Sequence, residues 1–178
     1  MSEGNPAFPV GLRRLKEHNM SATSPPFQPG EKALTTSANA AVYAKNLGRT
    51  WEVDGGEWML VKAAAALTTV GRAVLASATS GGLPTYIVNT TTTAADPYVI
   101  GVCKSTQVDL ASGDFFLVQR RGYAEVISAA AIAAGVAVGA STTAKKCDDA
   151  TMTAAGTVGV SLESAAGADE FVAVRLNM

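Results

Sequence analysis

Charge is scarce in this sequence. Only 16% of its 178 residues are Asp, Glu, Lys or Arg, against about 25% in a typical soluble domain. The 14 basic and 15 acidic residues nearly cancel, so no overall field gathers nucleic acid. Cysteine is rarer still. Cys103 and Cys147 stand alone and far apart. They cannot build a disulfide framework or a Cys-rich zinc site, and they read as small buried hydrophobes. The one histidine, His18, falls in a Pro-rich stretch. Ser-His-Asp or Cys-His catalysis would have to recruit it from there. A Gly-x-Ser-x-Gly elbow, a phosphate loop and a dinucleotide fingerprint are all missing. The expectation is a chain that is not an enzyme and needs no cofactor and no metal. Long apolar runs are missing as well. The uncharged stretches 73–95 and 126–144 contain Gly81, Gly82 and Pro84, and Gly135 and Gly139. Neither offers the roughly 20 predominantly apolar residues of a membrane-spanning helix, so no membrane partner is expected. The first residues show no basic run followed by an apolar core, so no export signal is expected. Asn19-Met-Ser21 and Asn89-Thr-Thr91 match a glycosylation pattern to which no export signal gives meaning.

Small residues are what the sequence has in quantity: 33 Ala, 18 Thr and 17 Gly. An apolar content of 48% argues against disorder throughout. Five of the seven prolines lie between Pro6 and Pro29, a density that no long helix or strand tolerates. Residues 1–50 therefore read as an extended N-terminal arm. A short helix is expected near Leu12–His18, and a polyproline-like link over 21–30. The arm carries Phe8, Val10, Leu12, Leu15 and Phe27. The two readings are a disordered terminus and an arm that becomes ordered against a neighbouring subunit; a purely solvating tail needs no such anchors, which favours the second.

Residues 51–178 read as a β-rich body. Asp54-Gly55 between Trp51-Glu-Val53 and Trp58-Met-Leu-Val61 is a strong hairpin signal. Further short strands are expected at 73–76, 85–88, 98–104, 115–119, 123–126, 136–140, 157–162 and 171–176, with helical turns at 63–67 and 129–134. So many short strands point to a small barrel or sandwich.

An internal repeat organises these strands. Tyr98-Val-Ile-Gly101-Val102 matches Gly156-Thr-Val-Gly159-Val160. Each is followed by a small-residue turn that ends in an acid, Asp114 or Asp169-Glu170. Each turn then leads into a strand, Phe115-Phe-Leu-Val118 or Phe171-Val-Ala-Val174. Val70-Gly71-Arg-Ala73-Val74 likewise matches Ala134-Gly135-Val-Ala137-Val138. Residues 57–113 and 114–170 thus look like two copies of one β unit. The acids of the repeat are simplest as turn formers. Asp148-Asp149 beside Lys145-Lys146 reads as an exposed loop rather than an acid–base pair. Arg13-Arg14-Lys16 and Arg120-Arg121 could each pair with acidic patches on a partner.

The Gly-Val strands, the turn and strand after each, and the closing Phe171-Val-Ala-Val-Arg-Leu176 resemble tailed-bacteriophage capsid decoration (cement) proteins. So does the segment from Leu47 to Lys62. The resemblance covers roughly 47–178. It implies a structural virion protein, made in the host cytoplasm, that sits on the outer surface of the capsid. It implies the major capsid protein as partner, a homotrimer as the assembly, and bridging of neighbouring capsomers as the task. The arm, about residues 5–30, is then the expected shell or partner contact, through Phe8, Leu12, Arg13, Arg14, Leu15 and Phe27. Trp51 and Trp58 are expected to brace the body. Rival readings are a head fibre base or tail protein, and a carbohydrate- or host-surface-binding module.

Overall fold

A computed structural model describes residues 24–33, 38–94 and 96–178. The short helix expected near Leu12–His18 lies outside them. The elements are β1 (Lys32–Ala33), α1 (Ala40–Lys45), β2 (Thr50–Val53), β3 (Gly56–Ala63), β4 (Val74–Ser80) and β5 (Leu83–Thr90). They continue with β6 (Val99–Cys103), β7 (Phe115–Ile127), β8 (Ala137–Ala140), β9 (Cys147–Ala150), β10 (Thr157–Ser161) and β11 (Phe171–Asn177). The chain is mainly β, and its body is a small closed barrel with further strands.

The β2–β3 hairpin forms where Asp54-Gly55 predicts it. Both turn residues have positive φ, 50° and 74°, which is what a two-residue turn matching the strand twist requires. It sets Trp51 opposite Trp58. From β3 onward the strands close on themselves. β3 pairs in parallel with β5, β5 antiparallel with β4, β4 with β6, and β6 with β7. β7 then pairs antiparallel with β3 and closes a five-stranded ring.

The second half repeats this wiring. β7 pairs with β11, β11 with β10, β10 with β8, and β8 with β9, all antiparallel. A parallel bridge between Ser128, just past β7, and Cys147 of β9 completes the circuit. β7 serves both rings. Residues up to Arg121 pair with β3, and Arg121–Ile127 pair with β11. The change of ring falls at Gly122, whose φ is +97°. Gln119 Nε2 holds this bend by donating to the carbonyls of Arg121 and Tyr123, both at 3.0 Å.

Small, branched side chains fill the rings. The first interior contains Val61, Leu75, Val88, Phe116 and Val118; the second contains Val126, Val138, Val158, Val172 and Val174. Val74 and Val102 of the first ring pack into the second cluster, so the rings share a wall. One free cysteine belongs to each interior, Cys103 to the first and Cys147 to the second. Burial raises the Cys103 thiol far above its ordinary range. It pushes Cys147 up to about 12, with the Asp148 carboxylate adding to the effect.

The repeated Gly-Val pairs have a steric cause. A Cβ on Gly101 would come within 2.6 Å of a Val118 methyl, and one on Gly159 would overlap the Arg175 carbonyl. Only glycine lets these strands approach their neighbours.

Four local expectations are corrected. The two strands foreseen at 115–119 and 123–126 are one, because Gly122 bends the strand without breaking its pairing. The stretch 145–149 is not simply an exposed loop: Cys147–Ala150 is a strand, with Cys147 turned inward. The turns at 63–67 and 129–134 are not helical. Leu67 exchanges both backbone hydrogen bonds with Leu110, as Ile132 does with Ala165, and these cross-loop pairs replace the i to i+4 bonds of a helix. The match of Gly71 with Gly135 is one residue out of step. Val74 lies opposite Val102 as Ala137 lies opposite Val160, and the position with positive φ is Arg72 (69°) in one copy and Gly135 (78°) in the other.

Candidate partner-contact surface

Each ring has an outer face, on β3 and the first half of β7 in one and on the second half of β7 and β11 in the other, and the two faces can be compared position by position. The amide of Ala64 donates to the carbonyl of Val88 at 2.8 Å, and that of Ala129 to Cys147 at 2.7 Å. The Ala111 amide donates to Asp114 Oδ2 at 2.9 Å, and the Ala166 amide to Glu170 Oε2 at 2.8 Å. The acids of the repeat do form its turns. On these registers Trp58 and Leu60 correspond to Tyr123 and Glu125, and Phe115 and Leu117 correspond to Phe171 and Ala173.

The first face is covered. Trp58, Leu60, Phe115 and Leu117 form a buried cluster with Tyr43 and Trp51, and Phe27, Ala33, Ala40 and Leu47 pack against it. Trp51 and Trp58 thus brace the body. Phe27 meets the edge of Tyr43 at 5.8 Å, and Tyr43 meets Phe115 at 5.5 Å. β1 adds to β7 at Phe115 and Phe116. Lys32 Nζ reaches Asp114 Oδ2 at 2.9 Å, a carboxylate that is only 2% exposed.

The second face is open. Tyr123 is 73% exposed, Phe171 55% and Leu162 47%. Arg72 organises one flank: its Nε donates to Glu125 Oε2 at 2.7 Å, and its guanidinium lies 4.0 Å from the Phe171 ring centre. A cleft of about 400 Å³ runs along the junction of the rings, lined by Trp58, Lys104, Gln119, Tyr123, Glu125 and Ala173 among others. Exposed aromatic and aliphatic side chains clustered on one face mark a protein-contact surface. Among the described residues no group of three or more His, Cys, Asp or Glu could hold a metal ion. No helix among them is long and apolar enough to cross a membrane.

The comparison with known proteins bears on this geometry. The sequence matches the phage cement protein family over residues 84–176, more than half of the chain. The chain belongs to that family. The match runs from β5 to β11 and takes in the whole second ring. No curated protein matches the sequence. Among solved structures, the N base of the head fibre gp8.5 of bacteriophage phi29 is similar, with a TM-score of 0.45 and 14% identity over 67% of this chain and 92% of that one. As a cement-family member the chain is a structural, virion-associated β protein rather than an enzyme.

Of the contact residues foreseen from sequence, Phe27 lies in the cover of the first ring. Phe8, Leu12, Arg13, Arg14 and Leu15 lie outside the described residues. Sequence reasoning missed Tyr123 and Phe171. The repeat as bounded from sequence, 57–113 and 114–170, sets Trp58 against Phe115; only the folded registers set Trp58 and Leu60 against Tyr123 and Glu125. Such a drift towards polarity marks a face that has lost an intramolecular cover.

Proposed function

We propose that this cement protein binds the outer surface of an assembled phage capsid, as a homotrimer, and bridges neighbouring capsomers of the major capsid protein. The chain is made in the host cytoplasm and joins the particle there. Residues 51–178 are its body. The arm, residues 1–50, is anchored on that body through Phe27 and Tyr43 and contributes its first 23 residues to contact with the capsid or a partner subunit, with Phe8, Leu12, Arg13, Arg14 and Leu15 as anchors. The observation that carries this reading is the family match over residues 84–176; the open aromatic face within the matched region gives it a surface to act through. A ligand that binds only the assembled lattice stabilises that lattice by linkage. Many weak identical contacts then act together through multivalency.

Co-sedimentation with expanded capsids that lack the protein tests the proposal. The full chain is expected to bind to saturation at a simple ratio to the capsid protein. A chain lacking residues 2–23 is expected to keep its β circular dichroism and lose binding. Full binding by the shortened chain would remove the arm from the mechanism. Failure of the full chain to bind would remove the cement role itself.

A further inference from the structure

The sequence repeats not only the ring but also the segment that covers it. In Pro25-Pro-Phe27-Gln-Pro-Gly30-Glu-Lys32-Ala-Leu34, Phe27 and Ala33 pack on the first face. Pro6-Ala-Phe8-Pro-Val-Gly11-Leu-Arg13-Arg-Leu15 has Pro, Phe, Gly, a cation and Leu at the same spacing. The features that seat the first segment have counterparts on the open face. Lys32 pairs with Asp114. The corresponding acid is Glu170, which makes the same turn bond and has no cationic partner among the described residues. β1 adds to β7 at Phe115–Phe116. The corresponding edge is Phe171–Val172, whose only strand partner among the described residues is β7. Phe27 and Tyr43 stack towards Phe115; the corresponding ring, Phe171, stays half exposed with only the Arg72 guanidinium on it.

We propose that residues 6–15 of a second copy of this chain dock on the outer face of the second ring. There Phe8 meets Phe171, Arg13 pairs with Glu170, and the backbone extends the sheet at Phe171–Val172. A second copy is the occupant because the proposed assembly is a homotrimer, which brings a neighbour's second face to each arm; the link of about ten residues from Leu15 to Pro25 spans at most about 35 Å. Docking on the chain's own second face is the other outcome of the test. This inference deepens the proposed function, since it rests on the arm as the tie and names its socket. Exchanged arms would join copies into one assembly whose shell contacts act together.

Cross-linking in the absence of capsids tests it. Two full-length variants, Phe8→Cys and Phe171→Cys, are mixed and mildly oxidised. The native thiols are buried, so the introduced ones react. A disulfide-linked pair of chains is expected to form about tenfold faster than in the control mixture of Phe8→Cys with Leu83→Cys, because docking raises the effective concentration. Leu162→Cys, on the same open face, replaces Phe171→Cys if the latter fails to fold. Glu170→Lys in the acceptor chain is expected to slow the cross-link, and Arg13→Glu in the donor chain to restore it. Cross-linking no faster than the control would overturn the proposal. Ring closure within a single chain carrying both cysteines, without linkage between chains, would overturn it too. Capsid binding is scored separately, so a failed cross-link with binding intact contradicts the socket and leaves the cement role standing.

Discussion

In the first ring, Trp58, Leu60, Phe115 and Leu117 lie beneath Phe27, Ala33, Ala40, Tyr43 and Leu47. In the second, Tyr123, Glu125, Phe171 and Ala173 hold the same positions, and the two aromatic rings face solvent. The backbone pairings are the same in both halves, down to the parallel contact that closes each circuit. Strand pairing and interior packing therefore define the unit, and the cover is a separate choice. One copy is finished within its own chain. The other keeps two exposed aromatic rings, Tyr123 and Phe171, beside the Arg72–Glu125 pair.

The comparison breaks most visibly at its paired phenylalanines. Phe115→Ala is expected to lower stability by about 3–5 kcal/mol, as for large buried aromatics. The equivalent Phe171→Ala is expected to change the free protein by no more than about 0.5 kcal/mol while weakening assembly. Chemical denaturation of the two variants reads the contrast, and equal losses would show that the second face is covered in solution. The acids give a smaller contrast. Lys32→Met leaves the buried Asp114 without its cation and is expected to cost about 1–3 kcal/mol. Glu170→Gln keeps the turn acceptor and is expected to cost under about 0.5 kcal/mol.

Gly101→Ala and Gly159→Ala sharpen the likeness instead. Each forces a Cβ against a neighbouring strand, and each is expected to destabilise by about 1–3 kcal/mol. Melting of the two variants by circular dichroism should move in parallel. An effect of another kind, on the pH dependence of stability, is expected from the buried thiols. Their folded pKa values lie above the unfolded one, so their contribution is full below about pH 8.5. Above that pH the unfolded chain releases protons that the folded chain retains. Stability should then fall by up to about 1.4 kcal/mol per pH unit for each thiol, until pH reaches the folded pKa values. Denaturation at pH 8 and pH 10 checks this, and Cys103→Ala with Cys147→Ala should flatten the slope.

Much of the fold was legible because small motifs carried it. Asp54-Gly55 marked the hairpin, and the Gly-Val pairs marked strands that must approach closely. Three kinds of element were not legible. β9 holds two aspartates and one inward cysteine, so it lacks the apolar alternation that marks a strand; its place comes from β8 beside it. Ala63–Leu67 and Ala129–Ala134 have helix-forming composition, but the cross-loop pairs to Leu110 and Ala165 override local propensity. β1 and α1 are too short to show periodicity and take their form from the face they cover. The open face was the least legible feature. An exposed phenylalanine in a strand looks like a buried one until the two copies are laid over each other.

Copy number tests the central claim most directly. The major capsid protein and this chain are quantified together by mass spectrometry in purified particles. A cement that bridges capsomers across the lattice predicts hundreds of copies, in a simple ratio to the capsid protein. A dozen copies or fewer would place the chain at a vertex, tail or fibre and contradict the role proposed for it.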